Sequence, residues 1–322
     1  PRPVLVARML ADAFLVLFPY KGKGELVTYC EAYSRALNGF IVSREQNYQL
    51  ELRSGICCVE DSDASDINSL LDRANMALKT IKVKGAAQWK FYDHTMRDKL
   101  LREKDLEIRM EKALADGEFL VYIQPKYWVG TRALAGGDQG FLSPGEFIPL
   151  FEKNRFIVKL DQFMFTSVCG LLRQWLDAGI EPRPLSVNVS RMQFHTPDFV
   201  ERYIRIKSQY AIPDGLLELE FTESIFFDNV ALLSSAVHEL RRAGIKCSID
   251  DFGAGYSSLN VLKALPVSVL KLDGMFFRTA KDDEQAKIVI RNIMRMAGEL
   301  KMATVAEGVE THEQVAFLET TG

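Results

Sequence analysis

From residue 118 onward, the apolar positions fall into short runs separated by amphipathic stretches. Runs near 118–124, 184–189, 216–221, 245–250, 267–272 and 302–307 have the length of strands. Between several of them apolar residues recur at helical spacing. The clearest case is 281–300, where Ala286, Val289, Ile293, Met296 and Leu300 share one face. Repeated strand–helix units predict an α/β fold with a parallel sheet.

The preceding part reads as a smaller α/β domain. Phe14 to Phe18 is a short apolar strand stopped by Pro19, and Glu25 to Phe40 has helical spacing. Tyr48, Leu50, Leu52 and Ile56 share one parity, as in a half-buried strand. Ile67, Leu70, Leu71, Ala74, Ala77 and Leu78 fall on one helix face, with Ser65 or Asp66 as its cap. Phe91-Tyr92 ends another strand. Asp93 to Asp116 is a charged helix that connects the two parts, with Met96, Leu100, Leu106, Met110, Ala113 and Leu114 as its expected buried positions. The expected division is 1–92, a connecting helix over 93–116, and 117–322.

Polar residues stand at or near the end of each of these runs. Asp250-Asp251 closes the run Ile245 to Ile249, Asn188 sits near the end of 185–190, Glu220 in 217–222, Lys271 in 269–273 and Glu307 in 303–308. Two adjacent carboxylates at the end of a buried strand are costly unless a positive charge compensates them. Hard divalent cations held by oxygen ligands are the usual compensator, and a pair of them is a standard device for cleaving phosphodiesters. Polar groups at the C-terminal ends of successive strands are how a β/α barrel builds an active site. Glu218 is assigned outward, between helices. A closed barrel needs eight strands. Residues 129–140 carry none where one is due, and the chain stops where the last unit should begin.

Composition adds exclusions. The 322 residues are 48% hydrophobic and 26% charged with a net charge of -3, so no non-specific attraction to nucleic acid or membrane is expected. No apolar run approaches the ~20 residues that span a bilayer. The five cysteines, Cys30, Cys57, Cys58, Cys169 and Cys247, show no Cys-x-x-Cys spacing, and most read as inert core in a reducing cytoplasm.

In this order and spacing, several stretches resemble the EAL domain, the bacterial phosphodiesterase that linearises cyclic di-GMP. They are Tyr122-Ile123-Gln124-Pro125, Ser143 to Pro149, Ser186 to Ser190, Glu220 to Ser224, Asp250 to Leu259, Lys271-Leu272-Asp273 and Ala306 to Glu310. The resemblance implies a TIM-like β/α barrel and two Mg²⁺ or Mn²⁺ ions ligated by Asn188, Glu220, Asp250, Asp251 and Glu307, with Asp250 bridging. It implies that Lys271 holds or polarises the attacking water, with Glu307 and Asp251 in the catalytic set. Glu223 would stabilise the loop after Asp251, and Gln124 would face the substrate. The partner implied is cyclic di-GMP, with homodimers forming near the Asp251–Ser258 loop; a membrane or sensory region could precede Pro1.

Residues 1–92 look like the C-terminal part of a GGDEF domain, the diguanylate cyclase module. Arg8 to Phe14 occupies the place of its signature, and Ala74 to Lys79 resembles its late helix. Leu10 and Ala11 stand where the family has glycines that let backbone approach GTP, and Ala13 where it has a metal-binding glutamate. This domain is expected to be degenerate and regulatory.

The Glu-Ala-Leu tripeptide that names the EAL family is absent between Gly137 and Asp138, as is the closing segment after Gly322. Loss of a barrel strand would expose a sheet edge. The expectation is that the sequence in hand joins ordered stretches and omits flexible segments of the natural chain at these two points. A true deletion is the other reading, and it would leave a cyclic di-GMP receptor that binds without cleaving.

Overall fold

Strand–helix alternation in the second half of the chain is realised as a parallel sheet backed by helices. The computed structural model describes residues 3–42, 52–59, 66–81, 88–126, 142–223, 225, 230–253, 262, 266–279 and 283–321. It divides into two units, Pro1–Glu107 and Ile108–Gly322.

In the first unit, β1 (Leu5–Leu10) pairs antiparallel with β2 (Ala13–Leu17). The turn falls at Ala11-Asp12, where Ala11 adopts φ 48°, a left-handed conformation that glycine takes without cost. Helix α1 (Lys23–Val42) follows. A second pair, β3 (Ser54–Ile56) and β4 (Trp89–Phe91), is parallel, as expected for strands joined through a crossover helix. That helix, α2 (Ile67–Lys79), is capped by Asp66, whose carboxylate accepts from the Ser69 N–H. It lies so close to β3 that a Cβ on Gly55 would stand 2.0 Å from the Ala74 carbonyl oxygen. Of the expected strand 48–56, residues 48–51 lie outside the described residues.

Helix α3 (His94–Ala115) matches the expected connector, but none of its residues is buried. Met96, Leu106, Met110, Ala113 and Leu114 are half-covered and Leu100 is exposed. The helix is dense in charge, and its apolar stripe is too narrow to enter a core.

The second unit continues with α4 (Pro144–Lys153), α5 (Ile157–Asp177), β5 (Leu185–Val189), a 3₁₀ turn (Arg191–His195) and α6 (Phe199–Gln209). Then come β6 (Leu217–Thr222), α7 (Val230–Arg242), β7 (Ile245–Phe252), β8 (Val269–Leu272) and α8 (Met275–Thr279). It ends with α9 (Glu284–Glu299), β9 (Ala303–Ala306) and α10 (His312–Glu319). The sheet order is β5-β6-β7-β8-β9, every pair parallel. Five of the six expected strands are therefore present. The exception is 118–124, which joins no ladder among the described residues, with Leu120, Tyr122 and Ile123 exposed. Without a partner row of peptide groups an apolar run does not become a strand.

One parity of each strand fills the core. Val187 and Val189, Leu217, Leu219 and Phe221, Ile245, Cys247 and Ile249, and Leu270 and Leu272 all lie in one buried cluster with the helices. The other parity carries Glu218, Glu220, Ser248, Asp250 and Lys271. This corrects the assignment of Glu218, which shares the face of Glu220 because the two are two residues apart. Cys169 and Cys247 are core residues whose thiols burial pushes up to about 12, which keeps them inert. Among the described residues no helix is long and apolar enough to cross a membrane.

A buried polar group interrupts this core at Asp161 on α5, which is 7% exposed. Burial pushes its carboxyl up to about 7 against bonds from Ser190 and Gln193 that lower it, and repulsion from Glu152 adds to the rise. The unfolded value is near 3.9. A raised carboxyl contributes stability that is fully present below the unfolded pKa and lost as pH rises through the folded one. The Asp161→Asn variant should therefore gain melting temperature relative to the parent as pH rises from about 4 to about 7, by the linkage just stated. Paired thermal melts across that range test this, and a gap that stays constant with pH would contradict it.

Candidate active site

Parallel pairing sets the site. Asn188 on β5 is in register with Glu220 on β6, and Thr222 at the end of β6 is in register with Asp250 on β7. Lys271 on β8 pairs with Val305 on β9, and the Glu307 N–H extends that ladder to the Leu272 carbonyl at 3.0 Å. The strand ends thus bring one lysine and several carboxylates together.

Lys271 is the centre. Its Nζ lies 2.8 Å from Glu220 Oε2, 2.8 Å from Asp250 Oδ1 and 2.7 Å from Glu307 Oε1, so three strands converge on one ammonium. The side chain is only 6% exposed. Burial alone would lower its pKa, but bonds to Asp250, Glu220 and Glu307 overcome this and hold the ammonium above its usual value. Glu220 has a second partner. Lys126 Nζ is 2.8 Å from its Oε1, 2.6 Å from Ser186 Oγ and 3.5 Å from Glu218 Oε1. Burial pushes Glu220 up, yet the two lysines outweigh it and hold its carboxyl below the usual range.

Asp251 stands on the same rim with φ 54°. Its carboxyl is raised by burial first, then by Asp250, Asp273 and Glu307, against the opposing pull of Lys271. Carboxylate oxygens of Asp250, Asp251 and Glu307 lie within 4.8 Å of one another. Three hard oxygen donors so close, one of them raised by its neighbours, are short of positive charge, and this set fits a divalent cation. Behind them, Glu223 Oε2 accepts from the Gly253 N–H at 3.1 Å, which fixes the chain just past Asp251. Gly253 has φ 96°, a conformation that favours glycine.

The ends of β8 and β9 meet through two glycines. A Cβ on Gly308, at φ 63°, would sit 3.0 Å from the Gly274 Cα, and one on Gly274 would sit 3.3 Å from the Gly308 Cα. The bare backbones let the Lys271 and Glu307 strands close on each other.

Of the residues singled out from the sequence, Glu220, Asp250, Asp251, Lys271 and Glu307 come together in one cluster. Glu223 joins it through Gly253, and Asn188, exposed, joins it through strand register. Gln124 is exposed on the irregular segment before Lys126 and makes no hydrogen bond to the cluster among the described residues. Sequence reasoning missed Lys126, Ser186 and Glu218. The signal for Glu218 was its parity with Glu220, and Ser186 has the same relation to Asn188. Nothing in the pattern pointed to Lys126. The Gly137–Asp138 junction and residues 254–260 lie outside the described residues.

Comparison with known proteins bears on the same elements. The family model of the EAL domain matches residues 109–322, and that of the diguanylate cyclase GGDEF domain matches residues 2–88. Over 327 residues the chain is 28% identical to the bifunctional diguanylate cyclase/cyclic di-GMP phosphodiesterase MucR of Pseudomonas aeruginosa, an alignment covering 98% of this chain and 47% of MucR. It is 29% identical over 328 residues to the cyclic di-GMP phosphodiesterase NbdA of the same organism, covering 98% of this chain and 41% of NbdA. The chain spans about half or less of the length of these curated relatives. A solved structure of the MucR phosphodiesterase in complex with c-di-GMP superposes with a TM-score of 0.62 at 30% identity, covering 68% of this chain and 92% of that one.

The lysine-centred cluster makes a direct prediction. Replacing one partner of a buried charge set leaves the others uncompensated, at a cost of about 3–5 kcal/mol. Lys271→Met should lower the melting temperature of this unit in EDTA by roughly 10 °C. Acidification, which discharges the carboxylates, should recover part of the loss. An unchanged melting curve would show that Lys271 is not their counter-ion.

Proposed function

The chain belongs to the EAL domain family, and from that membership we propose that it hydrolyses cyclic di-GMP to linear pGpG with two divalent cations, Mg²⁺ or Mn²⁺. The observation that carries this reading is the convergence of Glu220, Asp250 and Glu307 from three strands on Lys271, with Asp251 beside them. Asn188, Glu220, Asp250, Asp251 and Glu307 would hold the cations. When bound, such ions acidify a water and neutralise a phosphodiester.

The chain's own residues have the following parts. Lys271 stays protonated at neutral pH, so it cannot serve as the base; release of one of its three carboxylate partners to a cation would free an N–H to orient the attacking water toward phosphorus. The water oxygen forms the new P–O bond, the bond from phosphorus to the 3′ oxygen breaks, and the water's proton ends on that oxygen. Glu307 and Asp251 complete the acidic wall of the site. Glu223 keeps the chain after Asp251 in place by holding the Gly253 N–H. Gln124 is assigned to the face of the substrate base.

The first domain, 1–92, is joined by the helix 93–116 to the EAL domain, 117–322. It is read as a GGDEF part without cyclase activity. Leu10 and Ala11 lie at the hairpin turn where backbone would have to approach GTP, and Ala13 offers no carboxylate. We place the protein in the bacterial cytoplasm, as a homodimer formed through the EAL domain. A second reading, a cyclic di-GMP receptor without hydrolysis, is favoured by one observation, the absence of a Glu-Ala-Leu sequence at the Gly137–Asp138 junction.

With Mn²⁺ or Mg²⁺ the purified protein should convert cyclic di-GMP to pGpG. Asp250→Ala or EDTA should reduce the rate by more than about 100-fold. Tight binding with no linear product would establish the receptor instead. GTP should yield no cyclic di-GMP, and its appearance would refute the assignment of the first domain.

A further inference from the structure

The exit of β5 is held by a polar clamp that none of the roles above uses. Ser190 follows Val189, the last residue of β5, and lies two residues after Asn188. Its backbone N–H donates to Asp161 Oδ2 at 3.0 Å, and its Oγ donates to Glu152 Oε1 at 2.7 Å. The same Oγ accepts from the Met192 N–H at 3.3 Å and caps the 3₁₀ turn that follows. Gln193 in that turn is fully buried; its Nε2 donates to Asp161 Oδ2 at 3.2 Å and to the Val158 carbonyl at 3.0 Å. The chain leaving β5 is therefore fastened at both backbone and side chain to two helices, α4 through Glu152 and α5 through Asp161.

Such a clamp needs a reason. A buried carboxylate is expensive, and Asp161 is only 7% exposed, one helical turn before the core residue Phe165. If the only need were to end a strand, an apolar residue on α5 and a solvated turn would do so at less cost. What the clamp does fix is the height and direction of β5 at its last residues. Asn188 is in register with Glu220, and a displacement of β5 along its axis would carry Asn188 away from that carboxylate. Among the described residues β5 has a ladder neighbour on one side only, so the sheet supplies half the restraint an inner strand receives. The clamp supplies restraint from the helix layer.

We propose that Asp161, through Ser190 and Gln193, is a positioning residue that sets Asn188 for divalent-cation binding at the Asn188–Glu220 end of the site. The inference rests on the phosphodiesterase reading and adds to it a residue about which that reading is silent. Residues that orient ligands through hydrogen bonds carry about 10- to 100-fold in metal affinity.

Mn²⁺ titration calorimetry of the full chain tests it. The parent should bind Mn²⁺, Asp161→Ala should bind about tenfold more weakly, and Asp161→Asn, which keeps an oxygen acceptor for both donors, should bind like the parent. In the Asn188→Ala background, Asp161→Ala should cause no further loss, since coupled residues are not additive. Ser190→Pro is a second route to the same point. Ser190 has φ −66°, the value proline prefers, so the substitution keeps the backbone angle while it replaces the donated N–H by a ring carbon that pushes Asp161 Oδ2 away. It also removes the Oγ anchor, and it should weaken Mn²⁺ binding at least as much as Asp161→Ala. Losses that add in the double variant, or parent-like binding by Asp161→Ala and Ser190→Pro, would overturn the inference while leaving the phosphodiesterase reading intact. No Mn²⁺ binding by the parent, or binding unaltered by Asp250→Ala, would overturn that reading and this inference with it.

Discussion

A single buried ammonium organises the second unit. Lys271 sits among Glu220, Asp250 and Glu307 at 2.7–2.8 Å, and each comes from a different strand segment. Carboxylates gathered around one ammonium repel one another strongly where water is scarce. Without a cation in their midst the strand ends could not close to the spacing the sheet requires. The same arrangement that costs desolvation in the folded chain leaves Asp251 and its neighbours short of positive charge. Fold and site are thus two aspects of one charge balance.

Much of this was legible in the sequence, for a physical reason. A buried strand is apolar along its length, so a charged residue at its end stands out, and Asp250, Glu220, Lys271 and Glu307 could be picked from pattern alone. Strand limits were recovered because the apolar runs coincide with ladder pairing at Leu217, Ile245 and Val269. Residues 118–124 show the limit of the method: the run is apolar enough for a strand, but pairing is a property of two segments, and only one of them is in the run. Glu218 was misplaced for a different reason. Its neighbours Leu217 and Leu219 suggested an outward polar position, whereas period-two geometry puts it beside Glu220. Asp161 was invisible because a lone acidic residue in an amphipathic helix looks like any other until burial is known.

The first unit shows what a changed signature does to a turn. Ala11 holds a left-handed conformation at φ 48° where a glycine would rest without strain. The hairpin nevertheless forms, with Arg8 Nε donating to the Ala11 carbonyl at 2.7 Å. The strand pairing therefore does not depend on the glycines, and what their replacement removes is open backbone at the turn.

The contact between Gly274 and Gly308 bears on how variants of this protein should be interpreted. Neither residue has a side chain with which to touch a substrate, ligate an ion or move a proton. Yet a Cβ on Gly308 would sit 3.0 Å from the Gly274 Cα, so a methyl group there is admitted only if backbone gives way by a few tenths of an ångström. A methyl there would wedge apart the two segments that bring Lys271 to Glu307. Random mutagenesis scored only by activity would rank these positions with the carboxylates. Sensitivity to substitution in this chain is therefore a measure of two different things, chemical participation and steric admission, and only a readout of folding separates them.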